Sequence, residues 1–139
     1  MLTMPKSCFD EIAAHAEQEY PKECCGISIG VDDEVHEVLR GYNVLQSEFE
    51  YLIDPKDTLR ALKLTREREW DIVGFYHSHT ATDPTKVTEA YPSKKDVAGA
   101  AQWPTAYYLI VSLKDRARPD LRAFRILDGE IHEQELQIV

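Results

Sequence analysis

The chain has 139 residues, a length that suits one compact domain, 1–139, with a hydrophobic core of its own. Hydrophobic residues make up 43% of it and charged residues 29%, an ordinary globular composition, and no apolar run approaches the ~20 residues of a membrane span. Acidic residues outnumber basic ones 25 to 16, the net charge is -9, and no local basic cluster offsets it, which argues against nucleic acid as a partner.

The first segment, Met1-Leu2-Thr3-Met4-Pro5, lacks the apolar stretch of a secretory signal, so the expected location is the cytoplasm. A helix is predicted from Ser7 to Glu19, with Phe9, Ile12, Ala13, Ala16 and Tyr20 as its apolar stripe and Pro21 as its end. Cys24 to Val31 reads as a strand, Asp32-Asp33 as a turn, and Glu34 to Tyr42 as the second arm of a hairpin. The cysteines are Cys8, Cys24 and Cys25. An odd count with two of them adjacent does not resemble a disulfide framework, and Cys24 and Cys25 read as small buried residues at a strand start. A third strand is expected over Phe49 to Ile53.

Asp54-Pro55 is a helix start, a capping aspartate followed by proline at the first helical position. That helix is expected to reach about Glu69, with Leu59 and Leu62 as its core contacts. Asp71 to His79 is a strand, Thr80 to Pro92 a polar connection, and Ser93 to about Gln102 a helix. Tyr107 to Leu113 is apolar enough for a central strand buried on both faces. Leu121 to Leu127 and Glu130 to Ile138 flank Asp128-Gly129, a hairpin signal. The fold class is therefore α/β, a single mixed β-sheet with helices packed on it.

His77 and His79 stand two apart at the end of a strand, so both imidazoles face the same way, toward a point where a loop begins. Farther on comes Ser93-Lys94-Lys95-Asp96. Neutral imidazoles and a carboxylate suit Zn²⁺, and three protein ligands leave its fourth position for water, whose pKa falls to roughly 7 in such a site. Each piece also has an ordinary reading. A His-x-His pair is often only two surface histidines, and Ser-x-x-Asp is a good helix N-cap in which the aspartate complements the helix dipole. The two readings of the tetrapeptide are compatible, since Ser93 can start a helix that presents Asp96 to a metal.

Taken together, His77-Ser78-His79, a loop, and Ser93-x-x-Asp96 resemble the signature of the JAMM (MPN-plus) zinc metallopeptidases. The flanks Val73-Gly74-Phe75-Tyr76 and Val97-Ala98-Gly99-Ala100 are similar to that family's, and Glu23-Cys24-Cys25-Gly26 resembles the segment that carries its catalytic glutamate. The likeness runs from the first helix to the last hairpin. It implies a JAB1/MPN (cytidine-deaminase-like) architecture and one Zn²⁺ per chain on His77, His79 and Asp96. It also implies Glu23 as general base toward the attacking water and Ser93 as donor to the oxyanion.

The connection from Thr80 to Pro92 is longer than the family's usual spacer, as if Asp83 to Thr88 were inserted. It reads equally as a tolerated extension or as a specificity element. His77-Ser78-His79-Thr80-Ala81-Thr82 and Glu89-Ala90-Tyr91-Pro92-Ser93 are most similar to the small bacterial branch of the family. That branch implies a partner: a ubiquitin-like sulfur carrier protein whose Gly-Gly tail, bound by strand addition, loses a C-terminal cysteine. A general isopeptidase acting on lysine-linked modifiers would use the same five residues. A catalytically silent scaffold would be expected to lack some of them. A zinc deaminase would need His-x-Glu and Pro-Cys-x-x-Cys, which do not occur.

Overall fold

The apolar runs become strands whose continuous burial puts them in the middle of one mixed sheet. The structure, a computed structural model, describes residues 1–80 and 89–139. Strand β1 (Leu2–Met4) leads into helix α1 (Lys6–Glu19), the hairpin of β2 (Cys25–Val31) and β3 (Glu34–Arg40), helix α2 (Pro55–Arg68) and strand β4 (Asp71–His79). Helix α3 (Lys94–Gly99) tightens into a single turn at Ala100–Gln102 before β5 (Tyr107–Ser112), β6 (Asp120–Leu127), β7 (Glu130–Gln134) and β8 (Leu136–Ile138). The sheet order is β7-β6-β5-β4-β2-β3-β1-β8. Only Glu135 separates β7 from β8, so the sheet curls until its two edge strands adjoin.

Strand β4 is central, antiparallel to β2 and parallel to β5, and a parallel neighbour requires a crossover, here through α3. Alternate β4 side chains enter different cores. Tyr76 joins Ile12 and Ala16 of α1 with Leu109 and Val111, whereas Phe75 joins Ala61 of α2 with Ile27 and Tyr108. His77 and His79 share the parity of Phe75 and so lie on the α2 and α3 side. Asp128 and Gly129 both take positive φ (51° and 79°), as the two-residue turn between β6 and β7 requires. Among the described residues no helix is long and apolar enough to cross a membrane.

Four expectations change. Phe49 to Ile53 forms no strand; one bridge, Asn43 to Ile53, stands in its place. The cause is Asn43, whose amide donates to the carbonyls of Glu23 and Glu50 and accepts from the backbone N–H groups of Leu45 and Leu52. That side chain occupies backbone groups that a ladder would have paired. Leu59 and Leu62 are exposed rather than core, because α2 lies on the sheet through Ala61 and Thr65 and turns the opposite side outward. The segment from Glu130 to Ile138 is two strands, β7 on β6 and β8 parallel to β1, at opposite ends of the order. Three residues before the first helix, unassigned from the sequence, form β1.

Tyr76 is fully buried across from Gly26, and its hydroxyl lies 2.7 Å from Nδ1 of His15. A Cβ at Gly26 would fall 2.1 Å from the Tyr76 ring. Gly26→Ala therefore overpacks the core and is expected to lower unfolding free energy by about 1–3 kcal/mol in urea titrations. Burial, assisted by Arg40 and opposed by Glu11, pushes the His15 pKa down to about 4. The unfolded chain then binds the extra proton between pH ~6.5 and ~4, so the neutral-ring contribution is complete above that window and is lost as pH falls through it. A His15→Gln variant should show a flatter stability profile across that range, measured by denaturant midpoints at several pH values.

A candidate metal centre

The strand period delivers two of the three candidate ligating groups. His77 and His79 end β4, beside Cys25 of β2 and Ile110 and Ser112 of β5, and both rings are buried. The third comes from the first turn of α3. Ser93 Oγ accepts from the Asp96 N–H (3.2 Å), and the Ser93 N–H donates to Asp96 Oδ2 (2.9 Å), a reciprocal capping box. The same Oδ2 stands 3.1 Å from Nε2 of His77 and 3.1 Å from Nε2 of His79, and the two nitrogens are 3.1 Å from each other. Ligand atoms about 2.0–2.1 Å from a tetrahedral zinc ion are separated by roughly 3.3 Å, so the triangle nearly has the size of a zinc site. Among the described residues these three form a group able to hold a metal ion.

Protonation favours ligation. His79 Nδ1 lies 2.7 Å from the carbonyl of Glu89, so Nδ1 carries the hydrogen and Nε2 keeps its lone pair. Burial pushes the His77 pKa down against the opposing charge of Asp96, which keeps that ring neutral. Burial works to raise the Asp96 pKa, but the neighbouring imidazoles and the Ser93 N–H hold its carboxyl well below the usual range. His77 Nδ1 is buried with no partner among the described residues, and its ring is stacked on Tyr51 (centroids 4.3 Å apart, planes 23° apart). One imidazole is therefore oriented by a hydrogen bond and the other by an aromatic face.

Glu23 sits in the turn between α1 and β2, only 5% exposed. Its N–H donates to the carbonyl of Ser47 and its carbonyl accepts from Asn43. The turn is bolted to the end of β4: Cys24 and Ser78 exchange two hydrogen bonds, and the Thr80 hydroxyl donates to the Pro21 carbonyl (2.6 Å). Burial first, then the charges of Asp96 and Glu50, push the Glu23 pKa up to about 9 against the pull of Lys95. The charge of Asp96 is thus felt at Glu23, after burial the largest influence on it. Cys24 and Cys25 are buried and free, and burial raises both thiols, Cys24 to about 12, so neither is a ready nucleophile. A cleft of ≈ 480 Å³ opens beside Asp96, walled by Tyr51, Leu52, Phe75, Trp103 and the first turn of α2.

The five residues singled out in the sequence are thereby placed: three converge, Ser93 caps the helix that carries one of them, and Glu23 shares their electrostatic field. Tyr51 and Asn43 were not singled out, and neither lies in a motif; a tyrosine in an apolar stretch carries no mark of stacking on a histidine. The expected insertion, Asp83 to Thr88, lies outside the described residues.

Residues 5–127 match the family model for prokaryotic homologs of the JAB domain. The chain belongs to that family. It is 33% identical to a CysO-cysteine peptidase of Mycobacterium tuberculosis across all of this chain and 92% of the relative. It is 33% identical to a desampylase of Haloferax volcanii across 80% of each chain. Its fold is similar to that of AF2198, a JAB1/MPN domain protein from Archaeoglobus fulgidus (TM-score 0.64, 16% identity, all of this chain and 97% of the other). The architecture is thus that of the JAB1/MPN domain, and the chain is a hydrolase of the JAMM peptidase class.

Replacing the ring under His77 tests the stacking. Tyr51→Leu is expected to weaken metal binding about 10–100-fold in chelator competition, the usual cost of losing a group that orients a ligand, while Tyr51→Phe stays near wild type.

Proposed function

We propose that this chain is a zinc-dependent peptidase that hydrolyses the amide bond after the C-terminus of a ubiquitin-like sulfur carrier protein, releasing cysteine. The observation that carries this reading is the 3.1 Å triangle of His77 Nε2, His79 Nε2 and Asp96 Oδ2, with Glu23 buried in the turn whose Cys24 is fastened to Ser78 between the two histidines. Two imidazoles and a carboxylate are a suitable donor set for a catalytic zinc with an open position. Zinc held there supplies a Lewis acid for the scissile carbonyl and lowers the pKa of water.

The chain's own residues do the rest. Burial and the charges of Asp96 and Glu50 raise the Glu23 pKa; a cation's charge would offset those two carboxylates and favour the carboxylate form, which is the base for the attacking water. Its proton passes to the departing amine, so one carboxyl group serves both halves of the reaction. The Ser93 hydroxyl uses a lone pair for the helix cap, which leaves its hydrogen to donate to the oxyanion. The cleft beside Asp96 has aromatic and aliphatic walls and admits an extended chain end, for which Gly-Gly is the slimmest sequence. A cysteine leaving group follows the mycobacterial relative, whose name specifies a CysO-cysteine bond. Three free thiols fit a cytoplasmic site of action.

Glu23→Gln is expected to retain zinc and lose turnover by about 10²–10⁴-fold, whereas Asp96→Ala loses both. Metal analysis alongside mass spectrometry of carriers with and without a C-terminal cysteine checks this. Near-normal release of cysteine by the Glu23→Gln variant would remove the base assignment, and zinc retained in Asp96→Ala would remove the ligand set.

A further inference from the structure

An amide bond laid across the triangle has the carrier's tail on one side and the departing residue on the other. The cleft that admits the tail reaches the triangle at Asp96, and its wall contains neither His79 nor any residue from 89 to 93. The departing residue then lies on the His79 side. A residue released from a C-terminus carries a free carboxylate, one residue length of ~3–4 Å beyond the bond. The site must therefore accept an anion in a chain of net charge -9. A carboxylate drawn out of water with no cation to meet it is strongly disfavoured. A lysine joined through its ε-amine brings no carboxylate next to the bond, so the requirement is particular to C-terminal release.

Strand register supplies the cation. His77 pairs with Ile110 of β5, and Ile110 with Arg122 of β6. Residues directly opposite one another present their side chains to one face, so Arg122 shares the face of the histidines. Two strand spacings put its Cα roughly 10 Å from that of His77. Its neighbours on that face are apolar: Ile110 and Phe124 are fully buried with Ala90, and Tyr91 stands edge-on to Phe124. The Arg122 side chain is half exposed. Asp120 accepts from its Nε (3.1 Å) and Glu133 lies 3.6 Å from its Nη1, while Nη2 has no partner among the described residues. Two carboxylates thus orient the guanidinium without using all five of its donors. The neighbouring cations are placed otherwise: Lys114 pairs with Glu89, and Lys95 pairs with Glu50 in the wall of the tail cleft. The charges of Arg122 and Glu89 are felt at each other, and the Glu89 carbonyl is the group that orients His79. We infer that Arg122 binds the free carboxylate of the departing residue and so sets the preference for a C-terminal amino acid over a lysine-linked one. The inference rests on the proposed function for the bond that is cleaved.

The test uses the full chain with zinc and three probes. These are the host's ubiquitin-like sulfur carrier ending in Gly-Gly-Cys as the free acid, the same carrier ending in the cysteine amide, and the carrier joined through Gly-Gly to the ε-amine of a lysine peptide. Mass spectrometry gives kcat/KM on each for the wild type, Arg122→Gln and Arg122→Lys. The wild type is expected to prefer the acid to the amide by about 10–100-fold, the scale of a hydrogen bond between charged groups. Arg122→Gln should abolish that preference by slowing cleavage of the acid alone, with zinc content unchanged, and Arg122→Lys should restore part of it. A preference that persists in Arg122→Gln overturns the inference. So does an equal fall on acid and amide, or a wild-type chain that cleaves the amide or the lysine conjugate as fast as the acid; the peptidase reading survives each of these. Cleavage of none of the three probes overturns the proposed function, and the role of Arg122 falls with it.

Discussion

Three polar atoms held 3.1 Å apart in a buried pocket repel one another unless a proton or a cation stands among them. That constraint organises the rest of the site. The two imidazole nitrogens cannot move apart, because they project from consecutive same-side positions of a strand hydrogen-bonded on both edges. The carboxylate cannot withdraw without breaking the capping box that starts α3. A secondary-structure cap and a candidate ligand are thus the same side chain, and the helix N-terminus, whose dipole favours a carboxylate, helps to keep Asp96 ionised.

The surroundings of the triangle do two jobs. The Glu89 carbonyl and the Tyr51 ring orient the imidazoles, by hydrogen bonding and by stacking. The turn carrying Glu23 is fastened to the same strand end by Ser78 and Thr80 and to the following loop by Asn43, so the proposed base and the candidate ligands are referred to one rigid element. Burying Glu23 beside Asp96 disfavours its charged form. Burial is the larger cause and the charges of Asp96 and Glu50 add to it, so a cation held at the triangle would favour the carboxylate form of Glu23.

Much of the framework was legible. The nearly all-apolar run at Tyr107 to Leu113 became a fully buried central strand, and Asp54-Pro55 and Ser93-x-x-Asp96 became helix starts. The failures share a cause. Leu59 and Leu62 look like core because apolar residues at helical spacing normally are, but on α2 the smaller Ala61 and Thr65 permit closer approach to the sheet. Phe49 to Ile53 has the alternation of a strand, yet the side chain of Asn43, just upstream, occupies backbone groups it would have paired. Strands β1 and β8 are three residues long and exist because they pair with each other from opposite ends of the chain, a relation no local window contains.

By itself the sequence determined the chemistry of the donors and their local geometry: two histidines on one face of a strand, and an aspartate in the first turn of a capped helix. These follow from short-range periodicity and capping, which act over two to four residues. Only the tertiary structure decided that the two groups meet, that Glu23 is buried in the field of Asp96, that Tyr51 supports His77, and that two leucines of α2 face outward beside the cleft. Those are contacts between segments tens of residues apart, fixed by how the sheet stacks its strands, and they leave no periodic trace in the chain.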